Sequence, residues 1–145
     1  MSPKDKIKRA SIIEKMALRD KLEASRKRQS LVVLRDELSK NQDVRDQLKS
    51  LVEQAASPDK AKTAMALHSA SWYNTKVRDQ LEMVANRCTH LDKEVKTMQT
   101  AVARAEQKRS KKKKRADELT NQARKAAQDK ADQQLAELRS RQSKY

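Results

Sequence analysis

Apolar residues in the second half of the chain recur at alternating steps of four and three residues. This spacing, here called the seam, places them along one face of an α-helix, as in a left-handed coiled coil. It predicts a long helix that packs against another helix. The seam consists of Val77, Leu81, Val84, Cys88, Leu91, Val95, Met98, Val102 and Ala105.

A thinner seam runs through the first half of the chain. The polar residues Asn41 and Arg45 interrupt it, and Leu18 and Leu22 lie to one side of its upstream end. Because so few apolar residues leave a single helix marginal, pairing of the two helices must supply much of the stability. The apolar members are Ile13, Ala17, Ala24, Leu31, Leu34, Leu38, Leu48, Val52 and Ala55.

Two short segments predict where helices begin. In Ser2-Pro3-Lys4-Asp5, the serine can cap free backbone N–H groups, proline suits the first helical position and aspartate favours the positive end of the helix dipole. Ser57-Pro58-Asp59-Lys60 repeats this signal. We therefore expect one helix over residues 3–55, a tight turn at 56–57 and a second helical arm that begins at Pro58.

A weaker break near Ser69-Ala70-Ser71 could divide this second arm. Residues 58–70 would then form a short separate helix, and the second long helix would cover about 72–143. The tight turn makes the pairing antiparallel. The predicted fold is all-α, a long antiparallel two-helix coiled-coil hairpin, and a single domain over residues 1–145.

Folding back at Ser57 places residue 7 opposite about residue 107, so the longer second helix would overhang the first beyond about Lys108. Arg109 and Lys112 take the next two seam positions there. The apolar pattern then resumes out of phase, which suggests a partner other than the first helix. Its members are Ala116, Leu119, Ala123, Ala127 and Leu138.

Composition agrees with long helices and argues against a compact globule. Apolar residues make up 36% and charged residues 38% of the chain, and there is no Phe. Disorder would fit these values, but the chain has no Gly and only two Pro, and strong helix formers dominate the rest. The formal net charge of +15 predicts attraction to nucleic acid, an anionic membrane face or an acidic protein groove.

The cellular location follows from what the sequence lacks. A single cysteine, Cys88, excludes an internal disulfide framework and fits a reducing compartment. The longest apolar run, Leu31 to Leu34, is far too short to span a membrane, and residues 1–5 lack the apolar core of a signal peptide. We expect a cytoplasmic protein, with a nuclear location as the alternative.

The densest charge lies in residues 108–115, here called the basic run. On a helix these side chains would surround the whole circumference, leaving no face for packing. The run could bind a polyanion, act as a nuclear-localisation signal or simply be solvated. Its basic residues are Lys108, Arg109, Lys111, Lys112, Lys113, Lys114 and Arg115.

Nucleic-acid recognition finds little support beyond charge. No aromatic residue lies in the basic run, and no zinc-finger, RNP or helix-turn-helix pattern is present. Nonspecific binding to nucleic acid stays open.

Trp72 and Tyr73 lie beside the weaker break. We expect them to pack at the end of the hairpin, with a docking anchor for a partner as the alternative.

Catalysis is not expected. His68 and His90 are far apart and have no metal-ligand spacing, and a chain without Gly has no Gly-rich phosphate loop. A two-helix rod also offers no closed pocket that could shift the pKa of a carboxyl group. We interpret Cys88 as a core residue and expect no enzyme activity, no metal and no cofactor.

Charge pattern and architecture resemble the FliJ/YscO family of type III (flagellar or injectisome) export stalk proteins. The likeness covers nearly the whole chain and is strongest in the second arm, with an aromatic near its start, the seam and a charged C-terminal segment. The matching segments are Trp72, Ala105-Glu106-Gln107-Lys108-Arg109, Ala116-Asp117-Glu118-Leu119, Gln122-Ala123-Arg124-Lys125 and Asp129-Lys130-Ala131-Asp132.

The resemblance implies a non-catalytic central stalk, similar to the gamma subunit of rotary ATPases. Its helical ends would enter the pore of a hexameric export ATPase, and the protein would contact the export-gate cytoplasmic domain and export chaperones. It would thereby reach the inner face of the membrane through its partners. The basic run would contact the ATPase, with Lys4, Lys6, Lys8 and Arg9 nearby across the hairpin.

Two other functions stay open: a generic coiled-coil scaffold or cargo-handling protein, and a nonspecific nucleic-acid-associated basic protein. Oligomeric state separates the first of these from the stalk. An intramolecular hairpin is monomeric when free, as we expect here, whereas a scaffold that pairs its seam with another chain is a dimer or larger.

Overall fold

Two long α-helices make up the structure, a computed structural model that describes residues 1–55 and 63–143. α1 covers Pro3–Ala55 and has 53 residues. α2 covers Ala64–Ser143 and has 80 residues. The two helices pack against each other, and the described part contains no strand, so the all-α helical hairpin is confirmed. The side chain of Ala55 lies outside the described part, as does the predicted turn at residues 56–57.

The start of α1 has the predicted cap. The backbone N–H of Asp5 donates to Ser2 Oγ over 3.2 Å, and the Ser2 hydroxyl donates to Asp5 Oδ2 over 2.7 Å. This reciprocal pair satisfies a backbone donor that the first helical turn leaves without a partner. The negative carboxylate also lies at the positive end of the helix dipole.

The start of α2 differs from the prediction. Thr63 caps the helix, because its Oγ1 accepts from the backbone N–H of Ala66 over 3.1 Å and its carbonyl from Leu67 over 3.0 Å. The proposed break at residues 69–71 is wrong, since α2 is continuous from Ala64. The hydroxyl of Thr75 donates to the carbonyl of Ser71 over 2.9 Å, as expected within an α-helix. Residues 58–62 of the proposed short helix lie outside the described part.

Close packing divides the chain into two units. Unit 1 contains Met1–Arg26 with Val102–Tyr145, and unit 2 contains Lys27–Ala101. The expectation of a single domain stays a prediction.

The core of unit 2 follows the predicted seam. Leu91 is completely buried, and Cys88 is 5% exposed, which confirms its interpretation as a core residue. On α1, Leu31 is buried, and the polar residues Asn41 and Arg45 occupy half-buried seam positions. The other packed apolar residues are Leu34, Leu38, Leu48, Val52, Val77, Leu81, Val84, Val95 and Met98.

Unit 1 has a seam of small residues. Ala10 packs with Ala116 and Leu119, and Ile13 covers this cluster. The seam of α2 continues without a phase change through Ala105, Arg109, Lys112, Ala116, Leu119, Ala123 and Ala126, which are all buried or half-buried. The predicted change of phase beyond the basic run is therefore wrong. On α1 the matching buried positions are Ala10, Ala17, Asp20 and Ala24.

The pairing register of unit 1 also differs from the prediction. Lys112 Nζ lies 2.6 Å from Asp20 Oδ2, so residue 20 is level with residue 112 rather than with residue 94 or so. The predicted register was derived from folding back at Ser57. Towards the end of α2, exposure is continuous over residues 127–143, so the overhang begins there and not at Lys108. It corresponds to roughly 25 Å of helix.

Candidate partner-binding surfaces

Positive charge is concentrated in unit 1. This unit contains 22 of the chain's 35 Lys and Arg residues but only 10 of its 20 Asp and Glu residues, a net charge of +12. Unit 2 has 13 basic and 10 acidic residues and is close to neutral. An anionic partner would therefore be attracted mainly to unit 1.

The basic run lies in the middle of the unit 1 pairing, and it does have a packing face. Arg109 and Lys112 point into the seam and are half-buried. Lys112 forms the ion pair with Asp20, and Arg115 Nη1 lies 3.7 Å from Glu118 Oε2. The expectation that no face is left for packing is wrong, because an acidic residue on α1 allows a lysine to occupy a seam position.

The exposed basic residues of the run are Lys108, Lys111, Lys113, Lys114 and Arg115. Among the residues that the structure describes, no acidic side chain forms an ion pair with Lys108, Lys111, Lys113 or Lys114. These lysines remain available to an external anion.

Most of the N-terminal basic residues do not face the basic run. Because residue 20 is level with Lys112, residues 4–9 lie about 17–24 Å further along α1. Lys4, Lys8 and Arg9 are exposed and Lys6 is half-buried. Arg9 adjoins Ala10, which packs with Ala116, so it is level with the end of the basic run, whereas Lys4, Lys6 and Lys8 lie further along α1. The predicted grouping in one site stays a prediction.

A shallow open groove of about 220 Å³ lies along one side of the unit 1 seam. Its lining combines both signs of charge with two apolar side chains, so it has no preference for anions. The lining residues are Glu14, Ala17, Leu18, Lys21, Arg109, Lys113 and Asp117.

Heptad positions show which residues share each side of the seam. With Ala10 and Val102 as position a, the exposed groove residues occupy positions e and b of both helices: Glu14, Leu18, Lys21, Lys113 and Asp117. We call this side the mixed flank. Positions g and c lie on the opposite side of the seam, here called the basic flank. Besides the acidic residues Glu23 and Glu118, they include Arg9, Ile12, Met16 and Arg19 of α1 and Arg104, Lys108, Lys111 and Arg115 of α2.

The overhang at residues 127–143 has one uncharged face. Ala127, Ala131, Leu135 and Leu138 recur at steps of four, four and three, and all four are exposed. Helical geometry places Gln128, Gln134 and Gln142 on the same face and the charged residues on the other side. Leu135 is 53% and Leu138 56% exposed, so these large side chains have no packing partner in the described chain.

The first turns of α2 are also exposed. Residues 63–75 carry no acidic or basic side chain other than His68, although the chain as a whole is highly charged. Trp72 is 61% and Tyr73 48% exposed, so the expectation that they pad the hairpin end is wrong. The ammonium of Lys76 lies 5.8 Å from the centre of the Trp72 ring, a cation–π contact.

Within the described residues, no group of three or more His, Cys, Asp or Glu side chains could hold a metal ion. His90 Nε2 lies 2.8 Å from Glu94 Oε1 one helical turn away. Neither described helix has a stretch that is long and apolar enough to cross a membrane.

Comparison with known proteins gives no relative. No family model, curated protein or solved structure matches this chain. Its function must therefore be inferred from the surfaces described above.

Sequence reasoning missed the basic flank because it assigned the basic run to the whole helix circumference. The heptad positions of Lys108, Lys111 and Arg115 could have revealed it, if the seam had been extended through Arg109 and Lys112. It also missed Ile12 and Met16, because the apolar seam predicted for the first helix does not include them. Their exposure depends on which side of α1 faces α2.

Proposed function

We propose that this chain is a non-catalytic stalk component of a type III protein export apparatus. It would bind the hexameric export ATPase and link it to the export-gate cytoplasmic domain, with export chaperones as further partners. The observation that carries the proposal is the extension of α2 past the seam of unit 1. A helix that continues without an intramolecular partner needs one from another molecule to cover its apolar side chains.

The arrangement suits an axle in a ring. The overhang is a single helix, narrow enough to enter a central pore, and its charges balance: Asp129, Asp132 and Glu137 are offset by Lys130, Arg139 and Arg141. Its face with Leu135 and Leu138 could slide past apolar side chains of successive subunits. The basic run follows about 18 Å earlier along α2, where it could meet acidic residues at the ring entrance.

A direct test uses the purified chain as bait in the cytosol of its own cell, with bound proteins identified by mass spectrometry. Two variants separate the contribution of the overhang from that of the basic run. A chain that ends at Ala126 lacks the overhang but keeps the buried seam, and Lys113→Glu/Lys114→Glu changes exposed charge while the overhang stays intact.

The stalk proposal expects recovery of a hexameric ATPase by the full chain and loss of the ATPase with the shortened chain. The lysine variant would bind the ATPase more weakly at low salt and would show a shallower loss of binding as salt increases. Recovery of neither an ATPase nor an export-gate domain would reject the proposal.

A scaffold that pairs with a second copy is the other candidate, and the exposed Leu135 and Leu138 favour it. Sedimentation velocity at several protein concentrations decides between them. A monomer at all concentrations supports the stalk, whereas a dimer that Leu135→Gln/Leu138→Gln converts to monomer supports the scaffold.

A further inference from the structure

Two apolar side chains are exposed on the basic flank of unit 1. Ile12 is 58% and Met16 47% exposed, and they lie one helical turn apart on α1. Arg9 and Arg19 flank them along the same helix. An apolar pair bordered mainly by positive charge has the organisation of a protein-binding surface, with an apolar centre and a polar rim.

The second helix contributes the other half of this surface. The pairing of Asp20 with Lys112 and the packing of Ala10 with Ala116 place Met16 level with about Arg115. Positions Arg104, Lys108, Lys111 and Arg115 recur at steps of four, three and four residues, and all four are exposed. They form one row roughly 16 Å long beside the apolar pair.

Most of this positive charge is not neutralised within the chain. Arg115 has a partner in Glu118 at 3.7 Å, but in the described part no ion pair involves Lys108 or Lys111. Desolvation of these lysines would cost little if a partner supplied carboxylates, since both remain in water at present.

We propose that the basic flank binds an acidic amphipathic α-helix of a partner protein, which lies along the seam of unit 1 as a third helix. Apolar residues of that helix would cover Ile12 and Met16, and its flanking carboxylates would pair with Lys108, Lys111 and Arg104. This interaction goes beyond the stalk proposal, because it involves neither the overhang nor an ATPase.

The spacing of the exposed side chains favours an acidic helix as the partner over a nucleic acid or a membrane. Side chains four residues apart form a ridge that fits the groove of another helix, and cations at steps of three and four match carboxylates at the e and g positions of a heptad. Single-stranded nucleic acid would require stacking aromatics, and the described part of unit 1 has none. A membrane would require a broader apolar face than two side chains.

The test uses a synthetic helical peptide of about three heptads with Leu at positions a and d and Glu at e and g, so that repulsion keeps it from pairing with itself. Its binding to the full chain is measured by fluorescence anisotropy. Met16→Glu and Lys108→Glu/Lys111→Glu should each weaken binding by about tenfold or more.

A control on the mixed flank has the same change of charge. Lys21→Glu/Lys113→Glu alters two groove residues on the other side of the seam and should change binding by less than about twofold. Circular dichroism checks that the variants fold, as expected for substitutions at exposed positions of the basic flank.

A duplex DNA of about 20 base pairs and phosphatidylcholine vesicles with about one-quarter phosphatidylserine serve as competing probes. The proposal is overturned if the peptide does not bind, or if Met16→Glu leaves its binding unchanged. It is also overturned if the mixed-flank control weakens peptide binding equally, or if DNA or vesicles bind more tightly than the peptide.

Discussion

Asp20 and Lys112 form an ion pair inside the seam of unit 1, with 2.6 Å between Oδ2 and Nζ. The Asp20 side chain is 11% exposed and that of Lys112 32% exposed, so the carboxylate is buried while the ammonium still reaches water. The pair occupies positions that a coiled coil usually fills with apolar residues. It favours this register, because a shift that brought Ala116 level with Asp20 would leave the carboxylate buried without a cation.

Loss of one member of this pair should destabilise the protein. In Asp20→Ala the lysine loses its partner and a small cavity forms, and we expect a decrease of about 1–3 kcal/mol in the free energy of unfolding; the partial exposure of Lys112 keeps the effect below that of a fully buried pair. Urea denaturation followed by circular dichroism measures it. Lys111→Ala, one position along the helix and exposed, should have little effect.

The double replacement gives the opposite result. Asp20→Leu/Lys112→Leu removes both charges and adds apolar contacts, so we expect stability equal to or above that of the natural chain. A double variant less stable than Asp20→Ala would mean that the ion pair is not in the seam. If the double variant is more stable but sediments as a dimer instead of a monomer, the ion pair contributes to pairing specificity.

Leu91 should be the most sensitive position of unit 2. It is completely buried, so Leu91→Lys places a charge in the seam and should lower stability by at least about 3 kcal/mol. Met83→Lys is the matched control, since Met83 is 64% exposed on the same helix and should tolerate the change within about 0.5 kcal/mol. Equal melting temperatures of the two variants would contradict the register of unit 2.

Cys88 offers a way to measure opening of the seam. Because this thiol is 5% exposed, a thiol reagent should modify it only when the two helices separate. We expect labelling at least about 100-fold slower than that of Met83→Cys/Cys88→Ala, which carries its thiol at an exposed site. Comparable labelling rates would show that unit 2 does not hold its helices together in solution.

Removal of the overhang should leave stability unchanged. Residues 127–143 are exposed throughout, so a chain ending at Ala126 should unfold within about 0.5 kcal/mol of the full chain and lose only helical signal. A chain ending at Arg115 also lacks Ala116, Leu119 and Ala123, and it should unfold at clearly lower urea. Equal loss of stability in both would mean that the overhang packs against the remainder of the chain.

Local signals in the sequence were sufficient for the helices themselves. The cap at Ser2 and the seam from Val77 to Ala105 depend on neighbours a few residues away, and both agree with the structure. The pairing register of the two helices could not be predicted from such local signals. It depends on how many residues connect Ala55 to Ala64 and on the first turns of α2, which are unpaired. A periodic pattern of apolar residues indicates neither of these.

Charged seam positions were the other source of error. Arg109 and Lys112 look like the end of an apolar pattern, because a lone charge in a seam is costly. The carboxylate that makes Lys112 tolerable lies about ninety residues earlier, at Asp20. Only the three-dimensional pairing brings these two facts together, and without it the seam was predicted to stop too early.

The small residues in the seam of unit 1 have a mechanical consequence. On α1 the buried apolar residues of the unit 1 seam are Ala10, Ala17 and Ala24. Each alanine layer buries little area and so offers little resistance to a pull that separates the helices. Under such a load the two helices of unit 1 would separate at low force and could close again when the load is removed.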